Sequence, residues 1–307
     1  MSERPLKSEL HPRNRFRDGY DFPQLIAVCP GLAGYLATNL HGSVSVDFSN
    51  PVAVKMLNKA LLINAYGLNF WDIPQGHLCP PVPGRSDYVH VLADLLSDDG
   101  KSAIPRGESV RILDIGVGAN GIYPLIGASE YGWSFVGTDI DSSALEWVKN
   151  CVAANPTISS LIEIRLQTNP SACFTGIIQP GEKFHSSMCN PPFHSSPQEA
   201  AAGSRRKIRN LSGKNLAKSA QPALNFGGTN GELWCPGGEL SFVQRMIVES
   251  VKFQKNCHWF TSLISKSTHL PRLHQALLEV KAADVRTIEM AQGQKKSRIL
   301  AWTFKRP

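Results

Sequence analysis

The sequence predicts an α/β fold in which helices cover a mostly parallel sheet. Short apolar runs alternate with helical segments from residue 110 to residue 193, a pattern typical of βαβ units. A glycine-rich turn follows the first apolar run, at the sheet edge where open α/β folds bind their ligands. Of the 307 residues, 42% are hydrophobic and 19% are charged, so the chain can bury a core of the required size.

An extension precedes this pattern in the first third of the chain. Residues 1–24 mix arginines with prolines and aromatic residues in no regular period, which predicts a partly ordered basic arm. Asn50 and Pro51 form an N-cap and first-turn pair, so we predict a helix from there to about residue 68. A loop follows, and Ser86 is a candidate N-cap for a second helix. We therefore predict an N-terminal extension over 1–84 and an α/β domain over 85–307.

The α/β domain has a predicted order of elements, with an antiparallel pair of strands at its C-terminal end. A basic segment rich in Ser, Gly, Asn and Ala interrupts it, and two interpretations of that segment stay open: an active-site loop and a solvated insertion. We expect strands at 110–115, 133–138, 161–166, 184–189, 259–264, 285–290 and 299–304, helices at 122–130, 142–155, 241–252 and 273–282, and the basic segment at 194–238.

The charge and the cysteines limit the class of protein. The chain has 32 Lys and Arg against 25 Asp and Glu, which gives a net charge of +7 and is consistent with a nucleic-acid partner or another anionic ligand. The seven cysteines lack the close spacing of a zinc clamp and the histidines form no ligand cluster, so we expect reduced thiols and no metal. No apolar run approaches a membrane span, and residues 1–25 lack the apolar region of a secretory signal. We expect a cytoplasmic protein.

The glycine-rich turn contains Gly116, Gly118 and Gly121 in the spacing of a dinucleotide-binding fingerprint. Asp114 ends the strand two residues earlier and would repel a pyrophosphate, whereas it could face the cationic amino-acid end of S-adenosyl-L-methionine (SAM). Asp139 follows the second strand, where a carboxylate can bind the ribose hydroxyls of either cofactor. The turn therefore favours a Rossmann-like SAM site, and Asp139 does not distinguish SAM from NAD.

The fourth predicted strand ends in Asn190, Pro191, Pro192 and Phe193. The two prolines stiffen the turn and direct the carbonyl of Pro191, which places a second acceptor beside the amide oxygen of Asn190. Two such acceptors can bind the N–H groups of a ring amine and localise its lone pair toward a methyl donor, while Phe193 offers a face on which a flipped base can stack. The tetrapeptide therefore predicts methylation of a planar amine.

These residues resemble the amino-methylating class I SAM-dependent methyltransferases. Further segments resemble the bacterial RlmF-type family, which methylates the N6 atom of one adenine in 23S ribosomal RNA and is related to the eukaryotic METTL-type adenine-N6 methyltransferases. The resemblance extends from about residue 10 to the C-terminal end. It is carried by segments at 11–15, 46–51, 71–74, 79–85, 114–120, 122–127, 225–228, 232–235 and 290–294.

The resemblance implies specific roles for the site residues. Arg85 would bind the methionine carboxylate of SAM and Asp139 its ribose, while Asn190, Pro191, Pro192 and Phe193 would hold the target adenine. It also implies a monomer that binds no membrane and whose partner is 23S ribosomal RNA or a large-subunit precursor. The cofactor-binding set is Arg85, Asp114, Gly116, Gly118, Asp139, Gln167 and Thr168, and the RNA-binding set is Arg13, Arg15, Arg205, Arg206, Lys207, Arg209, Lys295 and Lys296.

Other functions stay open from the sequence. An Asn-Pro-Pro-aromatic turn can also bind the amide of a glutamine side chain or the amine of a DNA adenine. An RNA-binding assembly factor with a regulatory SAM pocket would show the same basic segments without methylating the base. An NAD-dependent oxidoreductase is the weakest alternative, because no His or Tyr-Lys pair is placed for hydride transfer.

Overall fold

One seven-stranded sheet organises the protein. The computed structural model describes residues 10–38, 42, 44–98, 100–199, 230–292 and 295–305. The sheet order is β5-β4-β3-β6-β7-β9-β8, with β3 to β7 parallel and β9 antiparallel to both of its neighbours. Its strands are β3 (Arg111–Ile115), β4 (Ser134–Asp139), β5 (Ile162–Leu166), β6 (Phe184–Cys189), β7 (Cys257–Ile264), β8 (Asp284–Gln292) and β9 (Lys295–Thr303). The predicted mostly parallel α/β fold with a C-terminal antiparallel strand is confirmed.

Helices cover the sheet and the region that precedes it. Asn50 caps one helix by accepting hydrogen bonds from the backbone N–H groups of Val52 and Ala53, as its Asn-Pro sequence predicts. Asp141 caps another through Ser143 and Ala144. The helices are α1 (Phe22–Val28), α2 (Pro51–Tyr66), α3 (Val82–Leu96), α4 (Ile122–Tyr131), α5 (Ser142–Ala153), α6 (Pro156–Ser159), α7 (Asn230–Leu233), α8 (Gly238–Ser250) and α9 (Leu270–Glu279).

The start of α3 differs from the sequence prediction. The helix begins at Val82 rather than after Ser86, and Ser86 lies buried inside it, where its hydroxyl is 2.7 Å from that of Tyr66. The prolines in this stretch suggested a loop, but proline is tolerated in the first helical turn because those N–H groups have no helical acceptor. Arg85 therefore lies in the first turn of a helix.

The N-terminal region is more structured than its sequence pattern indicates. Helix α1 and a two-stranded antiparallel hairpin, β1 (Leu36–Thr38) with β2 (Val44–Val46), were not predicted, and neither was α6. Leu10 and Phe16 of the basic arm are buried in a hydrophobic cluster that they share with α2, α3 and α4. A boundary at residue 84 would cut the first turn of α3, and the core is continuous across it.

Trp71 ties the region before α3 to the sheet. Its side chain is fully buried, and its indole N–H donates to the backbone carbonyl of Asn120 in the glycine-rich turn at 2.9 Å. The backbone N–H of Asn69 donates to the side chain of Asn155 at 2.7 Å. The N-terminal region thereby supports the turn that follows β3.

Three general features hold for the part of the chain that the structure describes. No helix there is long and apolar enough to cross a membrane. Within the same ranges, no group of three or more His, Cys, Asp or Glu side chains could hold a metal ion. The seven cysteines are free thiols.

Candidate active site

Two cavities open at the carboxyl edge of the parallel strands, where ligands bind in folds of this class. The larger cavity has a volume of about 330 Å³ and lies over the ends of β3, β4 and β6. The smaller cavity has a volume of about 170 Å³ and lies between α3 and the ends of β6 and β7. Leu78 and Asn190 line both cavities, so the two volumes meet at these side chains.

The glycine-rich turn forms the floor of the larger cavity. Gly116 has a φ of +79°, and a Cβ placed on it would meet no atom within 4 Å, so its backbone is open to a ligand. Gly118 also has positive φ, and its N–H donates to a carboxylate oxygen of Asp139 at 2.9 Å. Gly121 lies outside the cavity lining, where a Cβ would come within 2.5 Å of Val148. The first two glycines therefore serve the cavity and the third serves packing.

Asp139 lies at the rim of the larger cavity, at the end of β4. Its second carboxylate oxygen accepts the backbone N–H of Asp141 at 3.1 Å. Burial raises the pKa of Asp139, the N–H groups of Asp141 and Gly118 oppose this effect, and the nearby charge of Glu232 raises the pKa further. The carboxylate is held in a fixed orientation with one face toward the cavity.

Asp114 is buried behind the glycine-rich turn. Among the described residues, neither of its carboxylate oxygens has a hydrogen-bond partner. Burial raises its pKa to about 8, Asp139 adds to the effect and the positive charge of Arg85 opposes it. A buried carboxyl without a partner is costly to ionise, so this site holds Asp114 protonated near neutral pH.

Asn190 lies between the two cavities, at the end of β6. Its amide oxygen is buried and accepts no hydrogen bond from any side chain or backbone group in the described ranges. The strand end beneath it is fixed, because the hydroxyl of Tyr88 accepts the backbone N–H of Cys189 at 3.3 Å and contacts the Thr261 hydroxyl at 2.7 Å. A ligand with an N–H or O–H group could donate a hydrogen bond to this buried acceptor, which the strand end holds in place.

The segment after α7 returns to the cavity by pairing with the end of the Asn190 turn. The backbone N–H of His194 donates to the carbonyl of Leu233 at 3.0 Å, and the N–H of Cys235 donates to the carbonyl of His194 at 3.1 Å. This pairing places Glu232, Trp234 and Cys235 on the wall of the larger cavity. The role of these three side chains was not predicted, although the segment was among those that carry the family resemblance.

A loop at residues 167–178, here called the wall loop, closes another side of the larger cavity. Gln167 lines the cavity, and its amide holds the loop by donating to the carbonyl of Thr175 at 3.0 Å and accepting the N–H of Asn169 at 2.9 Å. Glu249 of α8 accepts three backbone N–H groups of the same loop, at 2.6, 3.2 and 2.7 Å, from Cys173, Phe174 and Thr175. The wall loop is therefore anchored to the sheet and to a helix.

The smaller cavity has a different lining. Arg85 and Phe193 face it, and Arg85 donates to the hydroxyl of Tyr123 at 2.7 Å. Its far wall is the end of β7, which Glu239 fastens by accepting the backbone N–H groups of Ser265 at 2.7 Å and Lys266 at 3.3 Å. The cavity therefore offers an aromatic face, a guanidinium and a fixed strand end.

The predicted site residues are brought together in part. Gly116, Gly118, Asp139 and Gln167 line the larger cavity with Asn190 and Pro192, while Thr168 is exposed nearby and Arg85 lines the smaller cavity with Asn190 and Phe193. Asp114 and Pro191 are buried against these walls.

The basic residues predicted to bind RNA fall into three groups. Arg13 donates to Asp94 at 2.7 Å and to the hydroxyl of Tyr131 at 3.1 Å, so its guanidinium joins the arm to α3 and α4. Arg15 pairs with Glu130 at 2.9 Å and remains half exposed. Lys295 and Lys296 begin β9, with side chains outside the described parts, and Arg205, Arg206, Lys207 and Arg209 lie outside the described residues altogether.

The charges around the larger cavity favour a cationic ligand over a pyrophosphate. Asp139 and Glu232 line it, while the protonated Asp114 behind its floor adds no negative charge. Arg245 is the basic side chain among the described lining residues. Two carboxylates would repel a dinucleotide phosphate and attract a sulfonium or an ammonium group.

Comparisons with known proteins agree with this arrangement. A family model described as RNA methyltransferase matches residues 4–306. The chain is 57% identical over 301 residues to the ribosomal RNA large subunit methyltransferase F of Yersinia pseudotuberculosis serotype O:1b, covering 98% of this chain and 89% of that protein. A protein of the same name from Yersinia pestis strain Pestoides F is 57% identical over 298 residues, covering 97% of this chain and 88% of that protein.

Solved structures are similar over nearly the whole chain. The catalytic domain of human METTL16 in complex with the MAT2A 3′UTR hairpin 1 matches with a TM-score of 0.79 and 32% identity, covering 97% of this chain and 96% of that one. The N-terminal domain of human METTL16 in complex with SAH, S-adenosylhomocysteine, matches with a TM-score of 0.75 and 29% identity, covering 96% and 99% of the two chains.

Proposed function

Because the chain belongs to the RNA methyltransferase family, we propose that it transfers a methyl group from SAM to the N6 amino group of one adenine in 23S ribosomal RNA. It is a SAM-dependent enzyme that acts on RNA, and the step that we propose beyond this is that the methylated atom is adenine N6. The observation that carries this step is the buried amide oxygen of Asn190, which has no partner among the described residues and lies where the two cavities meet.

The larger cavity fits the cofactor. Gly116 leaves open space above the backbone, and the Asp139 carboxylate is fixed at the rim by the N–H groups of Gly118 and Asp141. We assign the ribose to Asp139 and the cofactor's adenine to the side bounded by the wall loop. When bound, SAM supplies an electrophilic methyl group on its sulfonium.

The smaller cavity fits the target base. Phe193 offers a stacking face for an extruded adenine, an interaction worth ~1–3 kcal/mol for a stacked base. Asn190 then accepts one N–H of the N6 amine and draws its lone pair toward the methyl group. The Pro191 carbonyl is the second acceptor in this proposal. The methylated amine releases one proton, so the task of these residues is to orient and desolvate the amine.

Methylation of defined acceptors tests this proposal. Purified protein with labelled SAM should methylate 23S RNA that lacks the modification, and nucleoside analysis should identify N6-methyladenine. Asn190→Ala should lower the rate at least ~100-fold, in the range of a lost transition-state hydrogen bond, while SAM binding stays within a few fold. Asn150→Ala, an exposed change on α5, is the matched control.

The molecule that receives the methyl group distinguishes this proposal from its alternatives. Methylation of a DNA strand of the same sequence, or of a glutamine-containing peptide, in place of RNA would overturn the proposed substrate. RNA binding without any methylated nucleoside would favour the assembly-factor interpretation. Equal activity of Asn190→Ala and the unmodified protein would overturn the role of Asn190.

The RNA-binding segments complete the proposal. We propose that Arg205, Arg206, Lys207 and Arg209, together with Lys295 and Lys296, contact the phosphates of the RNA, and that residues 1–84 contribute to its recognition. Alanine substitution of the four residues at 205–209 should weaken RNA binding, reduce its salt dependence and spare SAM binding. We also propose that the protein is a cytoplasmic monomer and that its substrate is either 23S RNA or a large-subunit precursor.

A further inference from the structure

Glu232 is a second carboxylate in the larger cavity, opposite the one assigned to the ribose. It lies in α7 and reaches the cavity because the following residues pair with His194. Its side chain is 12% exposed, so water solvates its charge only in part. One of its oxygens is 3.2 Å from the position that a Cβ on Gly118 would take.

The position of Glu232 is fixed by the loop that precedes α3. Its Oε2 accepts the backbone N–H of Leu78 at 3.1 Å, and its Oε1 is 3.5 Å from Nδ1 of His77. Gly118 separates it from Asp139, because the N–H of that glycine donates to the Asp139 carboxylate. Two carboxylates therefore flank one residue of the cavity floor.

Two carboxylates this close to one residue of the cavity floor attract a cationic ligand more strongly than one carboxylate would. Glu232 raises the pKa of Asp139, which is the effect of like charges held close together. Among the described residues, the basic groups near the site include Arg245 on the cavity wall, Arg85 in the smaller cavity and the imidazole of His77. A ligand with positive charge above Gly118 would relieve the repulsion, and a neutral ligand of the same shape would not.

We propose that Glu232 positions the cationic sulfonium end of the cofactor and makes the cavity prefer SAM over its neutral product, S-adenosylhomocysteine. The proposal rests on the larger cavity being the cofactor site. SAM loses its sulfonium charge when the methyl group leaves, while the ribose and the amino-acid end stay the same. The attraction of Glu232 for the ligand is therefore weakened by the transfer itself, which favours release of the product.

Calorimetric titration of SAM and S-adenosylhomocysteine into the same protein measures this preference. Glu232→Gln keeps an oxygen that can accept the Leu78 N–H and removes the charge. We expect it to weaken SAM binding roughly tenfold, equivalent to about 1.4 kcal/mol, and to change S-adenosylhomocysteine binding by less than about twofold. Glu232→Asp keeps the charge and should retain the preference for SAM even where both ligands bind more weakly.

A matched control and the pattern of the two affinities separate the possible outcomes. Glu146→Gln changes the net charge equally at an exposed position of α5 and should leave both affinities unchanged. Equal weakening of the two ligands by Glu232→Gln, or loss of the preference in Glu232→Asp as well, would overturn the proposal and assign Glu232 to holding Leu78. If the unmodified protein bound neither ligand, the assignment of the cofactor would fail instead.

Discussion

Asp114 predicts an unusual pH dependence of stability. The carboxyl is buried without a hydrogen-bond partner in the described structure, and its pKa in the folded protein is about 8 against an ordinary value of 3.8. Between about pH 4 and about pH 8, the folded state therefore keeps a proton that the unfolded state releases. The free energy of unfolding must fall as the pH rises through this window, because the folded state binds more protons.

The size of the effect follows from the two pKa values. At ~1.36 kcal/mol for each pKa unit, the gap between 3.8 and about 8 corresponds to on the order of 5 kcal/mol. Asp114→Asn keeps the shape of the side chain and removes the titration. We expect the variant to be more stable than the unmodified protein, with an advantage that grows by roughly 4 kcal/mol between about pH 5 and about pH 8.5.

Urea unfolding at these two pH values measures the difference, with tryptophan fluorescence as the signal. Asp141→Asn is the matched control, since Asn also caps a helix and the pKa of Asp141 is lowered, chiefly by the Ser143 hydroxyl. The contribution of Asp141 is therefore complete above its ordinary pKa and constant across this range. An Asp114→Asn variant whose advantage failed to grow, or that became the less stable protein at high pH, would mean that Asp114 is ionised and balanced by Arg85.

Four further substitutions test the site and the contacts that support it. Gly121→Ala should destabilise the fold by several kcal/mol, because its Cβ would come within 2.5 Å of Val148 and its φ is positive. Gly116→Ala meets no neighbouring atom but has a φ of +79°, so it should cost a smaller ~1–2 kcal/mol and weaken SAM binding. Glu249→Ala removes the acceptor for three N–H groups of the wall loop and should raise the KM for SAM more than it lowers kcat. Tyr88→Phe should cost about 1–2 kcal/mol of unfolding free energy and lower kcat with little change in SAM affinity, as titration and kinetics would measure.

The sheet was predictable in part because the central strands β3 and β4 contain short buried apolar runs. β6 has the predicted bounds, and β3, β4 and β5 agree within one residue at each end. Buried parallel strands are apolar on both faces, so their pattern stands out without knowledge of the tertiary structure. The three-residue strands of the N-terminal hairpin are too short to show a period, and the seven residues of α1 complete only two helical turns.

The site was predictable only where its residues follow strands. Asp114 lies one residue before the end of β3, Asp139 ends β4 and Asn190 follows β6. The register of a parallel sheet brings such positions to one edge. Glu232 reaches the same cavity through the pairing of residues 233–235 with His194, a tertiary contact that leaves no periodic signal in the sequence. Tyr88 was missed for a similar reason, since its hydroxyl reaches the end of β6 from α3 through a tertiary contact.

The position of Asn190 bears on one part of substrate choice, the selection of a base that carries an exocyclic amine. A buried acceptor costs about 1–3 kcal/mol while it lacks a partner, and a base that presents an N–H there recovers this cost. Guanine and uracil present a carbonyl oxygen at the corresponding position, so the proposed role of Asn190 predicts selection for an amine and against these two bases. Adenine and cytosine both carry the amine, and the smaller cavity must separate them by size and by its contacts with Phe193. Under the same proposal, the basic segments of the chain contribute to the selection between RNA, DNA and protein.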